Sequence, residues 1–315
     1  MKTSDKLKSI KKRVQDYLGA THTKEIKAKY PKLDLRLKAS WEHIISIEVN
    51  KVVPKVSYDK RVYLLYSGGI GSALAAYILK HSGADFSLYF NDTKSEDPDL
   101  YRFLEETKYF FNVPFIEDSD GRTIWEVFED SHYMGNTRAD VCSRILKRER
   151  GLSFRKSLDA NEVIFANGID IWEEHRLQKA SEQWLPFELR SPLIDAQVFD
   201  KETLWKVFYL ETGIDKPYLY NIGMTHNNCG GFCVKAGLAH YRQLLGADRD
   251  RYMYFENKEL ETYEKIGKQY PFLRKTIKGK VTYITLREYR EQLENGAVLS
   301  DDDQYQFGGC VSCGL

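Results

Sequence analysis

Apolar positions along the chain keep two different rhythms, and the change between them falls near residue 60. Over residues 5–50 they recur at helical spacing between polar breaks. The stretch DYLGATHTKEIKAKYPKLDL supplies Gly, Thr and Pro punctuation, so several helices with short links are expected there. From Arg61 onward, continuous apolar runs alternate with amphipathic stretches. VYLLY is followed by a helix from Ser72, FSLYF by a helix from Pro98, VPFI by the helical TIWEVFED, and EVIFANG by a helix through WEEHRLQKA. Runs that are apolar at nearly every position suit strands buried on both faces, so the expected fold is α/β, a doubly wound parallel sheet of Rossmann-like kind. The expected boundaries are a basic helical N-terminal segment over 1–58, a nucleotide-binding α/β domain over 59–237, and a mostly helical C-terminal region with a Cys-containing tail over 238–315.

At 315 residues, 42% of them hydrophobic, the chain can bury a full core. Its opening, MKTSDKLKSIKKR, has no apolar segment of signal-peptide length, and no stretch approaches a membrane span. A soluble cytoplasmic protein without membrane contact is expected. The net charge of +1 conceals an asymmetry: residues 1–62 carry 16 Lys and Arg against 7 Asp and Glu, a local +9, which leaves −8 on the remainder. Such a front segment is either a nucleic-acid footprint or a solvated helix face. Five cysteines is an odd count, which points away from a disulfide framework and toward metal or redox chemistry.

Between the first strand and its helix lies YSGGIGS. In parallel sheets ligands sit at the carboxyl ends of strands, and small side chains there let backbone N–H groups face an anion. A Walker loop is excluded because no Lys closes the Gly-rich run. A dinucleotide fingerprint is nearly satisfied by Gly69 and Gly71, with Asp92 about 20 residues on, but its third position is Leu74. The third candidate is the PP-loop, SGGxDS/T: Ser67, Gly68, Gly69 and Ser72 match it, and Gly71 stands in place of the acidic residue.

The segments downstream follow an order that decides between these loops. NDTKSEDPDLYRF resembles the DTG-x-x-x-PET-x-x-F segment of phosphoadenosine phosphosulfate (PAPS) reductases. CSRILKR is similar to that family's CCxxRK, SPLIDAQVFDKETLWKVF to its PL-x-x-W-x-x-x-D-V-W stretch, and KPYLYNIGMTHNNCGGFC to the segment leading into its CxxC. The ending Cys313-Gly314-Leu315 resembles the family's Cys-bearing tail. Residues 62–237 thus resemble the PP-loop, adenine nucleotide alpha-hydrolase superfamily, and within it the PAPS-reductase-like family.

The resemblance implies that Ser67, Gly68, Gly69, Gly71 and Ser72 cradle a sulfate or pyrophosphate at a helix N-terminus, and that Asp92 and Thr93 meet the adenosine. Thr93 has the alternative reading of a helix N-cap ahead of Pro98. Arg144, Lys147 and Arg148 lie near Cys142, either to hold phosphate and lower a thiol pKa or as a basic helix surface. Gly168 matches the first residue of the family's GxR, but Asp170 replaces its Arg, with Glu173 and Glu174 following and Arg176 as the compensating cation. That departure disfavours ordinary PAPS and leaves ATP, with Mg as counter-ion, or an adenylyl sulfate as the nucleotide.

For the cysteines the resemblance implies a 4Fe-4S cluster on Cys142, Cys229, Cys233 and Cys310. The competing arrangement is a zinc site from Cys229, Cys233, Cys310 and Cys313. In the first arrangement Cys313 is a nucleophile on a tail that attacks the sulfur of a bound sulfonucleotide and is regenerated by a dithiol reductant. Three functions therefore remain open: reductase-like sulfur chemistry on an adenine nucleotide, nucleotide-driven activation or thiolation of a nucleic acid with a sulfur donor protein, and a zinc-stabilised nucleotide-binding protein without catalysis.

Overall fold

The computed structural model describes residues 3–136, 139–277 and 280–296. The front of the chain forms α1 (Thr3–Leu18), α2 (Thr23–Lys29) and α3 (Lys38–Val52). Trp41, Ile44, Ile45 and Val49 bury one stripe of α3, as the helical period requires, and Trp41 donates its Nε1 proton to the Leu35 carbonyl at 2.8 Å. Ile10, Val14 and this stripe belong to the same buried cluster as Leu64, Ala73 and Phe208 of the sheet region. Basic side chains occupy the opposite face, with Lys8, Lys12 and Lys24 exposed.

Five strands follow, interleaved with helices: β1 (Arg61–Leu65), α4 (Ile70–Ser82), β2 (Phe86–Asp92), α5 (Pro98–Phe111), β3 (Phe115–Ser119), α6 (Ile124–Asp130), α7 (Val141–Ser143), α8 (Glu149–Phe154), β4 (Val163–Ala166), α9 (Glu174–Trp184) and β5 (Leu189–Arg190). The Arg144–Arg148 segment between α7 and α8 is wound as a π-helix, so 141–154 is one helical rod with a wide turn. The sheet order is β3-β2-β1-β4-β5, and every pair is parallel. Leu64 lies between Leu88 and Ala166 in the ladder. The chain runs outward from β1 to β3, then returns to the other side of β1, so the connections reverse between β1 and β4. One sheet face is covered by α4 and α5 with the front helices. The other is covered by Phe154 and Trp184: Phe154 stacks on Tyr89 with centroids 4.3 Å apart, and Trp184 lies 4.4 Å from Phe165. This is the doubly wound arrangement that the apolar runs predict.

Past the sheet come α10 (Pro192–Asp195), α11 (Lys201–Thr212), α12 (Tyr218–Asn221), α13 (Leu238–Ala247), α14 (Arg249–Ile266), the antiparallel hairpin β6 (Leu273–Ile277) and β7 (Lys280–Ile284), and α15 (Leu286–Glu294). The hairpin departs from the helical expectation for this region. Its strands mix Lys, Arg and Thr with Ile and Leu and are half exposed, which blurs the alternation that marks a strand. A second apolar cluster joins Trp125 and Phe128 of α6, Leu146, Leu219, Phe232, and Tyr241, Tyr252, Phe272 and Tyr289 of the C-terminal elements.

This second cluster encloses two carboxylates. Glu256 is met by Arg287 and Arg290 at 3.0 and 2.8 Å. Among the described residues Glu259 has no cation partner of that kind; it accepts hydrogen bonds from the Tyr263 hydroxyl at 2.5 Å and the Leu286 amide at 2.8 Å, and burial lifts its pKa to about 7 against those bonds. The native state therefore binds the Glu259 proton more tightly than the unfolded chain. Its contribution to stability is full below about pH 4.5 and declines as pH rises to about 7, by a sum on the order of 3 kcal/mol. Glu259→Gln should flatten this part of the pH dependence and be the more stable protein at pH 8, as urea unfolding of both proteins at pH 5 and pH 8 would reveal. Equal pH slopes would contradict the assignment.

Candidate nucleotide and thiol site

The loop after β1 meets the loop after β4 where the sheet connections reverse. Gly68 has a left-handed φ of +69°, and a Cβ there would strike the Leu100 side chain. A Cβ on Gly71 would lie 2.5 Å from the Gly168 carbonyl oxygen, and one on Gly168 would overlap the backbone of Gly71 and Ser72. The two loops abut backbone to backbone. The glycine at position 71 thus has a steric reason: an aspartate there would drive its Cβ into Gly168.

Gly69 is the N-cap of α4, and Ala73 makes the first helical bond back to its carbonyl. The first-turn amides therefore lack acceptors within the helix and carry its positive dipole end. Ser72 Oγ donates to Gly69 O at 2.9 Å and lies 3.4 Å from Ser67 Oγ. Two residues that sequence reasoning did not single out lie over this loop. The Ile70 amide points at the Tyr220 hydroxyl at 3.4 Å, and Asn227 donates its Nδ2 proton to Gly68 O at 3.1 Å. Both come from the segment ahead of Cys229, about 150 residues away in sequence.

At the end of β2, Asp92 is buried. It accepts from the Lys94 amide and the Tyr101 hydroxyl, each at 2.8 Å, and pairs with Lys94 Nζ at 2.6 Å. Burial works to raise its pKa, but these hydrogen bonds outweigh it and hold the carboxyl below its ordinary value. Thr93 is buried beside it and donates to Glu96 Oε1 at 2.9 Å. The N-cap of α5 is Asp97, so Thr93 does not serve as that cap.

Cys142, Cys229 and Cys233 line one cavity together with Thr93, Ser143, Lys147 and Lys235, with about 20 Å³ of free volume, room for one water. The sequence grouping of these thiols thus corresponds to a shared surface. Among the described residues, no group of three or more His, Cys, Asp or Glu is arranged to hold a metal ion. Cys310 and Cys313 lie outside the described residues. Lys147 is buried in the cavity wall, 3.8 Å from Glu96. Below it, His226 stacks on His240 with centroids 4.9 Å apart, and both His226 ring nitrogens are buried without a hydrogen-bond partner among the described residues. Burial, His240 and the Lys147 charge together lower the His226 pKa to about 3, so the imidazole is neutral at ordinary pH.

The other expected cations do not gather on the loop. Arg144 is exposed and pairs with Glu149 at 2.8 Å, Arg148 with Asp140 at 3.0 Å, and Arg176 with Glu173. Asp170 is paired with Lys201 and caps the Trp172 amide at 3.0 Å, so its charge is offset locally.

No family model matches the chain, and no curated protein matches it in sequence. Among solved structures it is similar to an NH3-dependent NAD synthetase from Campylobacter jejuni, 11% identical over 72% of this chain and 90% of that chain, with a TM-score of 0.32. It is also similar to an NMN synthetase from Francisella tularensis, 14% identical over 82% of this chain and 97% of that chain, with a TM-score of 0.35.

The contact between the two loops predicts a sharp positional effect of one methyl group. Gly71→Ala and Gly168→Ala should each cost about 2–3 kcal/mol through overpacking against backbone, whereas Gly246→Ala, with open space around it in α13, should cost nothing. Urea unfolding of the three variants measures this, and a Gly71→Ala protein as stable as the parent would refute the contact.

Proposed function

We propose that the chain is a PP-loop enzyme of the PAPS-reductase-like kind, acting on an activated adenine nucleotide in sulfur chemistry. The observation that carries this reading is the adjacency of two features. A glycine-rich loop over the N-terminus of α4 sits at the reversal of the sheet connections, and a cavity bearing three thiols is tied to it through the loop after β2 and the segment holding Tyr220 and Asn227.

In this reading the first-turn amides of α4, with Ser67 and Ser72, hold the pyrophosphate of ATP or the phosphosulfate of an adenylyl sulfate. Asp92 and Thr93 face the adenosine, and Lys147 offsets charge between nucleotide and thiols. Magnesium would ride on the phosphates of ATP, since Gly71 supplies no carboxylate. The resemblance makes Cys142, Cys229, Cys233 and Cys310 the candidate ligands of a 4Fe-4S cluster; the competing zinc site takes Cys229, Cys233, Cys310 and Cys313. Either group would supply a charged centre near the nucleotide, and the three described thiols, which as they stand are not arranged to hold a metal, would have to regroup to take it. Cys313 would attack the sulfur of a bound adenylyl sulfate: the S–S bond forms, the S–O bond breaks, AMP leaves, and a dithiol reductant then frees the sulfur as sulfite while becoming a disulfide.

The test is a titration with ATP, AMP and an adenylyl sulfate, joined to metal analysis of anaerobically purified protein. The expected result is nucleotide binding and a brown protein with about four irons per chain. Cys310→Ser should lose the metal, and Cys313→Ser should keep metal and nucleotide but lose turnover. Colourless protein with one zinc, released by either substitution, would favour the structural zinc arrangement instead. Absence of nucleotide binding would end the proposal.

The exposed lysines of the front helices favour a second reading, in which the same site serves a nucleic-acid acceptor. Reversing Lys8, Lys12 and Lys24 to Glu should then abolish salt-sensitive binding of tRNA or DNA, because phosphate contacts release counterions. Binding unaffected by the reversal would leave those lysines as a solvated face.

A further inference from the structure

The loop after β2 has two ends with different company. It opens at Thr93, beside Asp92, the last residue of the strand. Its last two residues, Glu96 and Asp97, grip the turn that carries Cys229. That turn is left-handed at three residues in a row: Cys229 has φ 49°, Gly230 64° and Gly231 99°. Glycine adopts this readily, but a cysteine does so only where its surroundings hold it. Here the Cys229 amide donates to Glu96 Oε2 at 2.8 Å. The Gly230 carbonyl accepts from Arg251 at 2.8 Å, and the same guanidinium is paired with Asp97. The other oxygen of the Glu96 carboxylate accepts from the Thr93 hydroxyl at 2.9 Å, and the Glu96 side chain is only 3% exposed.

We infer that Glu96 is a positioning residue that couples occupancy at the mouth of β2 to the conformation of the Cys229 turn. The inference rests on the nucleotide reading above and deepens it. One carboxylate joins the two ends: a ligand that engages Thr93 fixes its hydroxyl, the hydroxyl fixes Glu96, and Glu96 fixes the amide of Cys229 in its left-handed state. Burial makes the link stiff, because neither oxygen has water to fall back on. By linkage, the turn biases nucleotide affinity by the same factor as the nucleotide biases the turn.

Hydrogen exchange of the full chain with and without ATP, read separately in peptides covering 67–73 and 226–235, tests this. In the parent protein ATP should slow exchange in both, the second by about five-fold or more, the lower end of coupling between linked sites. Glu96→Gln should keep the second effect, since an amide can still accept from Cys229 N–H while donating to the Thr93 hydroxyl. Glu96→Ala should lose it and retain protection at 67–73. A purely structural Glu96 would raise exchange at 226–235 in the Ala variant without changing the ratio between ATP-bound and free protein, and that result would overturn the coupling. So would protection at 67–73 with none at 226–235 in the parent, which decides the matter even if the Ala variant does not fold. That outcome leaves the nucleotide reading standing, whereas no protection in either peptide with ATP or with an adenylyl sulfate removes both.

Discussion

The backbone contact between Gly71 and Gly168 is the constraint on which the rest of the site depends. Parallel strands β1 and β4 are neighbours, and the loops that follow their carboxyl ends meet backbone to backbone. Only the absence of two Cβ atoms lets them meet, with the Gly168 carbonyl 2.5 Å from where a Gly71 Cβ would stand. The contact sets where α4 begins, and therefore where its first-turn amides point. It also limits the chemistry of the loop, because a side chain at position 71 would meet the Gly168 carbonyl, and what the loop offers is amides and hydroxyls.

Around this point the described residues form three apolar clusters, one on each face of the sheet and one beyond it, with a polar seam between the sheet and the last. The cluster under α4 lies beside the glycine loop; the one beyond the sheet joins α6, the 141–154 rod and the C-terminal elements and carries the thiols. The seam is built from few bonds, most of them to charged or buried groups: Asn227 to Gly68, Glu96 to Cys229, and Arg251 to both Asp97 and Gly230. Hydrogen bonds of this charged kind each contribute about 1.5–3 kcal/mol, and leaving either partner buried alone costs as much. The seam is thus strong yet directional. The neutral His226 and His240 pair lies on the same boundary, beside Lys147.

What the amino-acid sequence determined by itself is the alternation of strands and helices and the kinds of residue at the strand ends. Val62–Leu65, Phe86–Phe90 and Val163–Ala166 read as buried parallel strands because both of their faces are covered, and a side chain's burial relative to its own strand leaves a mark at short range. The glycines at 68, 69, 71 and 168 and the cysteines at 142, 229 and 233 stand out in the sequence as candidates by residue type and by the resemblance, and the structure sets the glycine loops against each other and the three thiols on one cavity. The hairpin at 273–284 was not legible, since its mixed, half-exposed strands leave no such mark.

The tertiary structure alone decided which of these residues meet. Arg144 and Arg176 read as cations for a phosphate, yet Glu149 and Glu173 lie one helical turn away and take them first. Tyr220, Asn227 and Glu96 carried no signal in sequence, because the partners that give them a role, Ile70, Gly68 and Cys229, lie 133 to 159 residues away. Periodicity records how each side chain faces its own helix or strand. Which polar atoms end up within 3 Å of one another across elements is set by how those elements pack, and in this chain that packing turns on two glycines with no side chain to read.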